Sequence, residues 1–268
     1  MDIHSKFGGV VPEIASRNHI MSIDAVVKKA LDTANIAAKQ LTKVAATAEP
    51  GLPGAVMIGR VFGQSLATAL DIPFVPVNHV HGHIASTFLN QDHYALVLSG
   101  GHTSLYHVEN KKITLVEQTL DDAVGEAFDK VARVLGLGYP GGPIIESRAK
   151  EWDGEVIQFV KKPNYHQVGF SYSGLKTAVI NYLNKFPGFN IAQICHSFQQ
   201  EAFAQIIYKL KKRIKPTDIL AVSGGVSINK YLQKLLKSEF KSVHFPAPEL
   251  CGDNAVMIAA AANIGYTA

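Results

Sequence analysis

Residues 94–103 read Tyr94-Ala95-Leu96-Val97-Leu98-Ser99-Gly100-Gly101-His102-Thr103, a short apolar run that ends in a glycine turn. An apolar run of this length, bounded by turn residues, is typical of a buried β-strand. Ile219-Leu220-Ala221-Val222-Ser223-Gly224-Gly225 repeats the pattern. A glycine turn after a strand offers bare backbone N–H groups to a phosphate. Each turn alone could be an ordinary strand end, but the recurrence favours a nucleotide site.

The elements around these two turns predict the fold class. Actin-like ATPases and sugar kinases place glycine turns from successive strands around one nucleotide, so we expect a two-lobed α/β fold of this type. We predict a first lobe at 1–92, a second lobe with the phosphate turns at 93–252, and a C-terminal helix at 253–268 that returns to the first lobe. The predicted strands are Phe74–Val77, Tyr94–Leu98, Ser104–Val108, Ile113–Val116, Ile219–Val222 and Val243–Phe245. Helices are predicted from after Ser22 toward Thr42, over Ala55–Leu70, Gly125–Leu135, Ile145–Trp152, Gly174–Leu183, Ile191–Arg213 and Asn229–Ser238, and from Asn254 onward.

Composition narrows the cellular context. The 268 residues carry 26 Lys and Arg against 22 Asp and Glu, a net charge of +4 that leans toward anionic partners. The two cysteines, Cys195 and Cys251, cannot make a disulfide framework, which indicates a reducing compartment. No signal-peptide region opens the chain, and no stretch reaches the roughly 18 apolar residues of a membrane span. We therefore expect a cytoplasmic protein with no membrane partner.

A pair of histidines, His79 and His83, follows the predicted strand Phe74–Val77. On a helix, a spacing of four residues puts both imidazoles on one face, where they can bind a metal ion together. The alternative is an ordinary solvated helix surface. His81, between them, would point away from both, so we leave it out of the ligand set.

Eight motifs run in order along nearly the whole chain. They are Phe7-Gly8-Gly9-Val10-Val11-Pro12-Glu13-Ile14-Ala15-Ser16-Arg17, His79-x-x-Gly82-His83, Ser99-Gly100-Gly101-His102-Thr103, Asp121-Asp122-Ala123-Val124-Gly125-Glu126-Ala127-Phe128-Asp129-Lys130, Tyr139-Pro140-Gly141-Gly142-Pro143, Phe170-Ser171-Tyr172-Ser173-Gly174-Leu175-Lys176-Thr177, Gly224-Gly225-Val226-Ser227-Ile228-Asn229 and Cys251-Gly252-Asp253-Asn254-Ala255-Val256-Met257-Ile258-Ala259. With these motifs, the chain resembles the tRNA N6-adenosine threonylcarbamoyltransferase family, whose older name is O-sialoglycoprotein endopeptidase.

The resemblance implies a metal-dependent acyltransferase. Such an enzyme would transfer the threonylcarbamoyl group from L-threonylcarbamoyl-adenylate to N6 of adenosine 37, in tRNAs that read codons beginning with A, and release AMP. The resemblance also implies one divalent metal ion per subunit, with Fe(II) favoured over Zn(II). For a bacterial member, it implies a paralogous dimer partner and a small P-loop ATPase.

The resemblance also assigns the site residues. The metal ligands would be His79, His83 and Asp253, and two neutral imidazoles with one carboxylate suit an Fe(II) or Zn(II) site with open positions. The residues assigned to phosphate, carbonyl, ribose or adenine contacts are Val97, Leu98, Ser99, Gly100, Gly101, His102, Asp129, Gly142, Glu146 and Asn229. The general base is unknown, with Asp121 and Asp122 as candidates.

Several of these residues also have a purely structural interpretation. Asp129 could be an exposed helical carboxylate paired with a lysine, and His102 could orient its turn. Asn229 could be a helix N-cap. Asp121 and Asp122 could cap the end of the predicted hairpin. These alternatives stay open at the level of the sequence.

Two rival classes share parts of the pattern. A non-catalytic, nucleotide-binding scaffold paralogue would keep the fold, but such paralogues generally lack the metal histidines. A metallopeptidase helix would carry Glu directly after its first histidine, where this chain has Val80.

Two further features concern the chain start and the basic residues. Relatives begin with a strand containing Ile-Glu-Thr-Ser-Cys-Asp-Glu-Thr, so we expect a truncated first lobe with an unpaired strand edge.

Basic clusters at Lys209–Lys215, Lys111-Lys112 and Lys161-Lys162 are candidates for tRNA contact. Cations at the end of a helix are also favoured by the helix dipole alone.

Overall fold

The computed structural model describes residues 11–161 and 168–266. They form two compact units, one of residues 11–86 with 254–266, the other of the described residues within 87–253. The first four residues of the motif that begins at Phe7 lie outside the described residues, as does Lys162 of one basic cluster.

The described residues form ten α-helices and seven β-strands. In chain order they are α1 (Pro12–Ala34), β1 (Val44–Glu49), α2 (Pro53–Leu70), β2 (Phe74–Asn78), α3 (His79–Ala85), β3 (His93–Leu98), β4 (Thr103–Glu109), β5 (Lys112–Gln118), α4 (Val124–Val134), α5 (Gly141–Ala149), α6 (Ser173–Lys185), α7 (Ile191–Arg213), β6 (Ile219–Ser223), α8 (Lys230–Glu239), β7 (Ser242–His244), α9 (Pro248–Cys251) and α10 (Ala255–Ile264). Short 3-10 turns lie at Ala38–Gln40 and Gly225–Ile228.

The sequence prediction of the first helix is wrong at both ends. We expected it from after Ser22 toward Thr42, but α1 begins at Pro12 and ends at Ala34. Proline is favoured in the first turn of a helix, where its missing N–H has no partner to lose. Asn35 closes the helix in the left-handed conformation, with φ of 53°, and its N–H donates to the carbonyl of Asp32.

The first unit contains a two-stranded parallel sheet, of which only β2 was predicted. Strand β1 pairs with β2, so that Ala45 lies opposite Val75. Parallel strands need a crossover connection, which α2 provides. Helices α3 and α10 pack against each other, and the apolar core of the unit includes Val77, Ala85 and Met257.

The second unit contains a five-stranded sheet in the order β5-β4-β3-β6-β7. Strands β3, β6 and β7 are parallel, whereas β4 and β5 extend the sheet as an antiparallel hairpin. The hairpin predicted across residues 109–111 is confirmed, as are the two apolar strands that precede the glycine turns. Because β3 and β6 are adjacent and parallel, with Val97 opposite Ser223, their glycine turns leave the sheet side by side.

Helices α4 to α8 enclose the main core of this unit. Phe128 of α4 packs against Phe198 and Phe203 of α7, with ring centroids 4.9 and 5.3 Å apart. Within residues 11–161 and 168–266, no helix has the length and apolar character needed to cross a bilayer.

Candidate functional site

Helix α3 carries the two histidines of the candidate metal centre. Asn78 caps the helix, because its side-chain oxygen accepts hydrogen bonds from the N–H groups of Val80 and His81 at 2.9 and 3.4 Å. His79 and His83 then lie one turn apart, with ring centroids 4.8 Å apart and ring planes at 83°. His83 is fully buried and His79 half-buried.

Asp253 completes a group of three candidate ligands. One donor atom from each of His79, His83 and Asp253 lies within 4.8 Å of the other two. Asp253 immediately precedes Asn254, which caps α10 by accepting a hydrogen bond from the N–H of Met257 at 2.9 Å. The start of α10 therefore holds the carboxylate next to the histidine pair.

The donor set fits a borderline divalent metal ion. Two imidazoles and one carboxylate are the ligands of zinc sites and of non-haem Fe(II) sites, with positions left for substrate. Such donors lie about 2.0–2.2 Å from the metal, so small side-chain movements would gather the group around one ion. His81 does not belong to the group of three candidate ligands. Its ring lies instead beside that of Tyr266, with centroids 6.1 Å apart. Burial lowers the pKa of His81, and the charge of Glu49 opposes that shift.

The first glycine turn is held by its serine. The hydroxyl oxygen of Ser99 accepts hydrogen bonds from the N–H groups of Gly101 and His102, at 3.3 and 3.0 Å. The Ser99 N–H in turn donates to the carbonyl of His102 at 2.8 Å. Val97 and Leu98 are fully buried at the end of β3, so only their backbone is available to a ligand.

Helix α4 begins directly against this turn, because Gly125 has no side chain. A methyl group at Gly125 would lie 2.6 Å from the carbonyl oxygen of Ser99 and 3.0 Å from the nitrogen of Gly100. The hydroxyl of Thr103 accepts a hydrogen bond from the N–H of Val124 at 2.8 Å and so fixes the same helix end. From the sequence we expected Gly125 only to begin a helix, and its place in the motif Asp121–Lys130 is the signal that could have indicated this close approach.

The second glycine turn contacts the end of the neighbouring strand. Gly224 has a φ of 88°, which side-chain-bearing residues rarely adopt, and a methyl group there would clash with the backbone of Leu98. A methyl group at Gly100, Gly101 or Gly225 would meet no atom within 4 Å. The two turns therefore present open backbone at the carboxyl ends of β3 and β6.

Asp129 lies on α4 and caps the next helix. Its carboxylate accepts a hydrogen bond from the N–H of Gly141 at 2.7 Å, at the start of α5. Burial raises the pKa of Asp129, while the N–H groups of Gly141 and Gly142 act in the opposite direction. A side chain at Gly142 would meet no atom within 4 Å.

Glu146 and Asn229 both have partners within the protein. The carboxylate of Glu146 accepts a hydrogen bond from the N–H of Lys230 at 2.9 Å and pairs with Lys150 at 3.2 Å. The side chain of Asn229 caps α8, accepting from the N–H of Leu232 at 3.0 Å, and donates to Gln199 at 2.8 Å. Asn229 thus has the N-cap role that we considered as its structural alternative.

The candidate bases Asp121 and Asp122 both form contacts with residues at or just before the start of α6. Asp121 accepts hydrogen bonds from the Ser171 hydroxyl at 2.6 Å and from the Tyr172 N–H at 2.8 Å, just before that helix. Asp122 forms ion pairs with Lys130 and Lys176, each at 2.7 Å. Burial alone would raise the pKa of Asp122, but these two pairs outweigh it and lower the pKa.

The basic cluster at the end of α7 is largely engaged within the protein. Glu117, whose side chain is 1% exposed, pairs with Lys209 at 3.0 Å and with Arg213 at 2.9 Å. Glu117 also accepts a hydrogen bond from the N–H of Gly169 at 2.8 Å. Lys211 pairs with Glu239 at 2.7 Å. Glu117 was not predicted from the sequence, because an isolated acidic residue in a strand belongs to no recognisable motif.

Comparisons with solved structures show the fold. HypF in its phosphate- and nucleotide-bound form matches 90% of this chain and 40% of its own chain, with a TM-score of 0.59 and 14% identity. The (R)-2-hydroxyglutaryl-CoA dehydratase component A of Acidaminococcus fermentans matches 90% of this chain and 81% of its own, with a TM-score of 0.58 and 14% identity. The predicted fold class, an α/β fold of the actin-like ATPase and sugar-kinase type, is confirmed.

Comparisons of sequence show the family. Residues 1–260 match the family model for tRNA N6-adenosine threonylcarbamoyltransferase. A protein of that name from Clostridium perfringens is 44% identical over 280 aligned residues, covering 98% of this chain and 82% of the relative. One from Thermosipho melanesiensis is 41% identical, covering 97% of this chain and 84% of the relative. The chain therefore belongs to the tRNA N6-adenosine threonylcarbamoyltransferase family, which confirms the resemblance inferred from its motifs.

Proposed function

We propose that this transferase moves the threonylcarbamoyl group of L-threonylcarbamoyl-adenylate onto N6 of adenosine 37, in tRNAs that read codons beginning with A, and releases AMP. The observation that carries the proposal is the family match over residues 1–260. Within that match, His79, His83 and Asp253 keep three donor atoms within 4.8 Å of one another.

The reaction exchanges one bond at the carbamoyl carbon for another. A C–N bond forms from N6 of adenosine, the C–O bond to the phosphate breaks, and AMP leaves with the electron pair while N6 loses a proton. N6 is a weak nucleophile because its lone pair is delocalised into the purine ring. A divalent ion held by His79, His83 and Asp253, with Fe(II) favoured over Zn(II), would polarise the carbonyl of the acyl group.

The protein groups then have to hold the adenylate in place. The backbone of the turn Ser99–Gly101 would contact the phosphate, with His102 beside it. The Ser99 and Gly101 N–H groups already donate within the turn, at 2.8 and 3.3 Å, so Gly100 would be the first donor to the phosphate. Asp129 would accept hydrogen bonds from ribose hydroxyls. Its half-buried position, where burial raises its pKa, supports a contact with a bound ligand from which water is partly excluded. Gly142 would admit the ribose or base, with Glu146 and Asn229 as further contacts. Such positioning of the reactants accounts for a large part of the rate in transfer reactions.

The proton from N6 needs an acceptor. Asp121 and Asp122 remain the candidate bases among the side chains, but both carboxylates already have close partners. The lowered pKa of Asp122 makes it a weaker base. These contacts favour the departing phosphate of AMP as the proton acceptor.

Partner proteins belong to the same proposal. tRNA is the acceptor substrate, and a paralogous dimer partner and a small P-loop ATPase would assist in a bacterial host. The alternative is a non-catalytic, nucleotide-binding scaffold paralogue of the same complex, which would need no metal ligands.

Release of AMP from threonylcarbamoyl-adenylate separates the enzyme from the scaffold. We expect release that depends on unmodified tRNA for the wild type and for His81→Ala, with the two partner proteins present. Asp253→Asn should lose this release, because the carboxylate ligand is gone, while His81→Ala removes a histidine from the same helix outside the group. A wild-type protein that releases no AMP under these conditions would support the scaffold.

A further inference from the structure

Gly141 lies at a close approach of α5 to α4, two helices of the second unit. A methyl group there would lie 2.8 Å from both the carbonyl oxygen of Phe128 and Cα of Asp129, and 2.5 Å from Cβ of Ala132. The first two atoms belong to the backbone of α4 and the third is bonded to it, so no side-chain rotation relieves these contacts. Because ordinary contact begins at 3.4 Å, a side chain at residue 141 would part the two helices locally by about 0.6–0.9 Å.

The backbone of Gly141 also holds the carboxylate of Asp129. The Gly141 N–H donates to Oδ1 of Asp129 at 2.7 Å, so the bond joins the amino end of α5 to α4. Farther along α5, Ile145 and Ala149 are buried in the main core, where side chains have little room to move. The separation would therefore be concentrated at the amino end of α5. It would lengthen the bond to Oδ1 or turn the carboxylate after its donor.

We infer that Gly141 is a positioning residue, whose missing side chain lets the amino end of α5 hold the Asp129 carboxylate in the orientation that a ribose requires. The inference rests on the proposed function, because it takes Asp129 as the acceptor of hydrogen bonds from ribose hydroxyls. Gly141 offers the ligand no side chain and acts through Asp129.

The preference for a ribose that carries hydroxyl groups tests the inference without any measurement of catalysis. The probes are AMP and 2′,3′-dideoxy-AMP, and calorimetry gives the ratio of their affinities. We expect the wild type to prefer AMP by about 10–100-fold, the range that a hydrogen bond to a charged group contributes. In Gly141→Ala most of this contribution is lost, so the preference should fall to about threefold or less. A general structural defect would instead weaken both nucleotides alike and leave the ratio unchanged.

The matched control is Gly174→Ala at the start of α6, where a methyl group would meet no atom within 4 Å. Its ratio should equal that of the wild type. If Gly141→Ala does not fold, its combination with Ala132→Gly removes the contact at 2.5 Å but keeps the two contacts with the backbone of α4, so the ratio should still be lowered. A wild-type ratio in the variant that folds overturns the inference, as does an equal fall in Gly174→Ala.

Asp129→Ala separates this inference from the proposed function. It removes the carboxylate altogether, so the preference for AMP should disappear. A preference that is lost in Asp129→Ala but kept in Gly141→Ala overturns the inference alone. A wild type that binds neither nucleotide or binds both equally, or a preference that survives in Asp129→Ala, overturns the ribose assignment of the proposed function, and the inference falls with it.

Discussion

Replacing Gly125 by alanine should displace the first glycine turn, Ser99–Gly101. The new methyl group would lie 2.6 Å from the carbonyl oxygen of Ser99, whereas ordinary contact begins at 3.4 Å, so turn and helix must separate by about 0.8 Å. A misplacement on the order of 1 Å can lower the rate of an enzyme reaction about 100-fold, which shows how sensitive a binding site is to such a shift. We expect affinity for AMP and for a non-hydrolysable adenylate analogue to fall at least tenfold, or about 1.4 kcal/mol. The free energy of unfolding should fall by at most about 2 kcal/mol, because overpacking costs about 1–3 kcal/mol and the gain in helix propensity returns about 1 kcal/mol.

Isothermal titration calorimetry measures the affinity, and urea denaturation measures the stability. Gly174→Ala is the matched control: Gly174 is also the second residue of a helix, but its methyl group would meet no atom within 4 Å. Unchanged affinity in Gly125→Ala would show that the close approach of α4 to the turn does not control nucleotide binding. An equal loss in Gly174→Ala would show that the effect is not specific to the turn.

Three further predictions follow from the contacts. Asp122→Asn should lower the free energy of unfolding by about 1–3 kcal/mol in urea denaturation, because it removes the charge from two lysine pairs. The pKa of Asp122 is lower in the folded protein, so its contribution to the free energy of unfolding is full above the ordinary aspartate pKa and is lost as the pH falls through the lowered value. Asp122→Asn should therefore lose less stability than the wild type on acidification. The same loss of stability at low pH in both proteins would contradict this. Glu117→Gln should lower the free energy of unfolding by about 3–5 kcal/mol, because it leaves the buried Lys209 and the partly exposed Arg213 without their counter-charge. Glu239→Gln at the more exposed pair should cost about 1 kcal/mol or less; equal melting temperatures would count against the difference. His83→Ala should abolish stoichiometric metal in elemental analysis, and His81→Ala should retain it; metal retained in both would remove His83 from the ligand set.

Local sequence patterns were sufficient where an element carries its own signal. The apolar runs before the two glycine turns gave β3 and β6 nearly to the residue, and α7 was predicted at its observed bounds. Strand β1 was missed because Val44-Ala45-Ala46-Thr47-Ala48-Glu49 is rich in alanine, which is depleted in strands. Its conformation depends on pairing with β2, and a distant pairing leaves no mark on the local sequence.

Some features of the candidate site could also be predicted from the local sequence and others could not. The spacing of His79 and His83 is a local property of a helix, so their place on one helix face could be predicted. The place of Asp253 beside them depends on how α10 packs against α3, which only the motif match indicated. The partners of Asp122 lie 8 and 54 residues away along the chain, so its ion pairs were beyond reach of any local pattern.

The most direct test of the central claim follows the acyl group itself. Threonylcarbamoyl-adenylate with ¹³C in the carbamoyl carbon is incubated with the protein, its partner proteins and an unmodified tRNA, and the digested tRNA is examined by mass spectrometry. We expect labelled N6-threonylcarbamoyladenosine that maps to position 37 and is absent when that position is guanosine. Label that stays in solution as hydrolysed threonylcarbamate, or label on the tRNA that does not depend on adenosine 37, would rule out the proposed transfer.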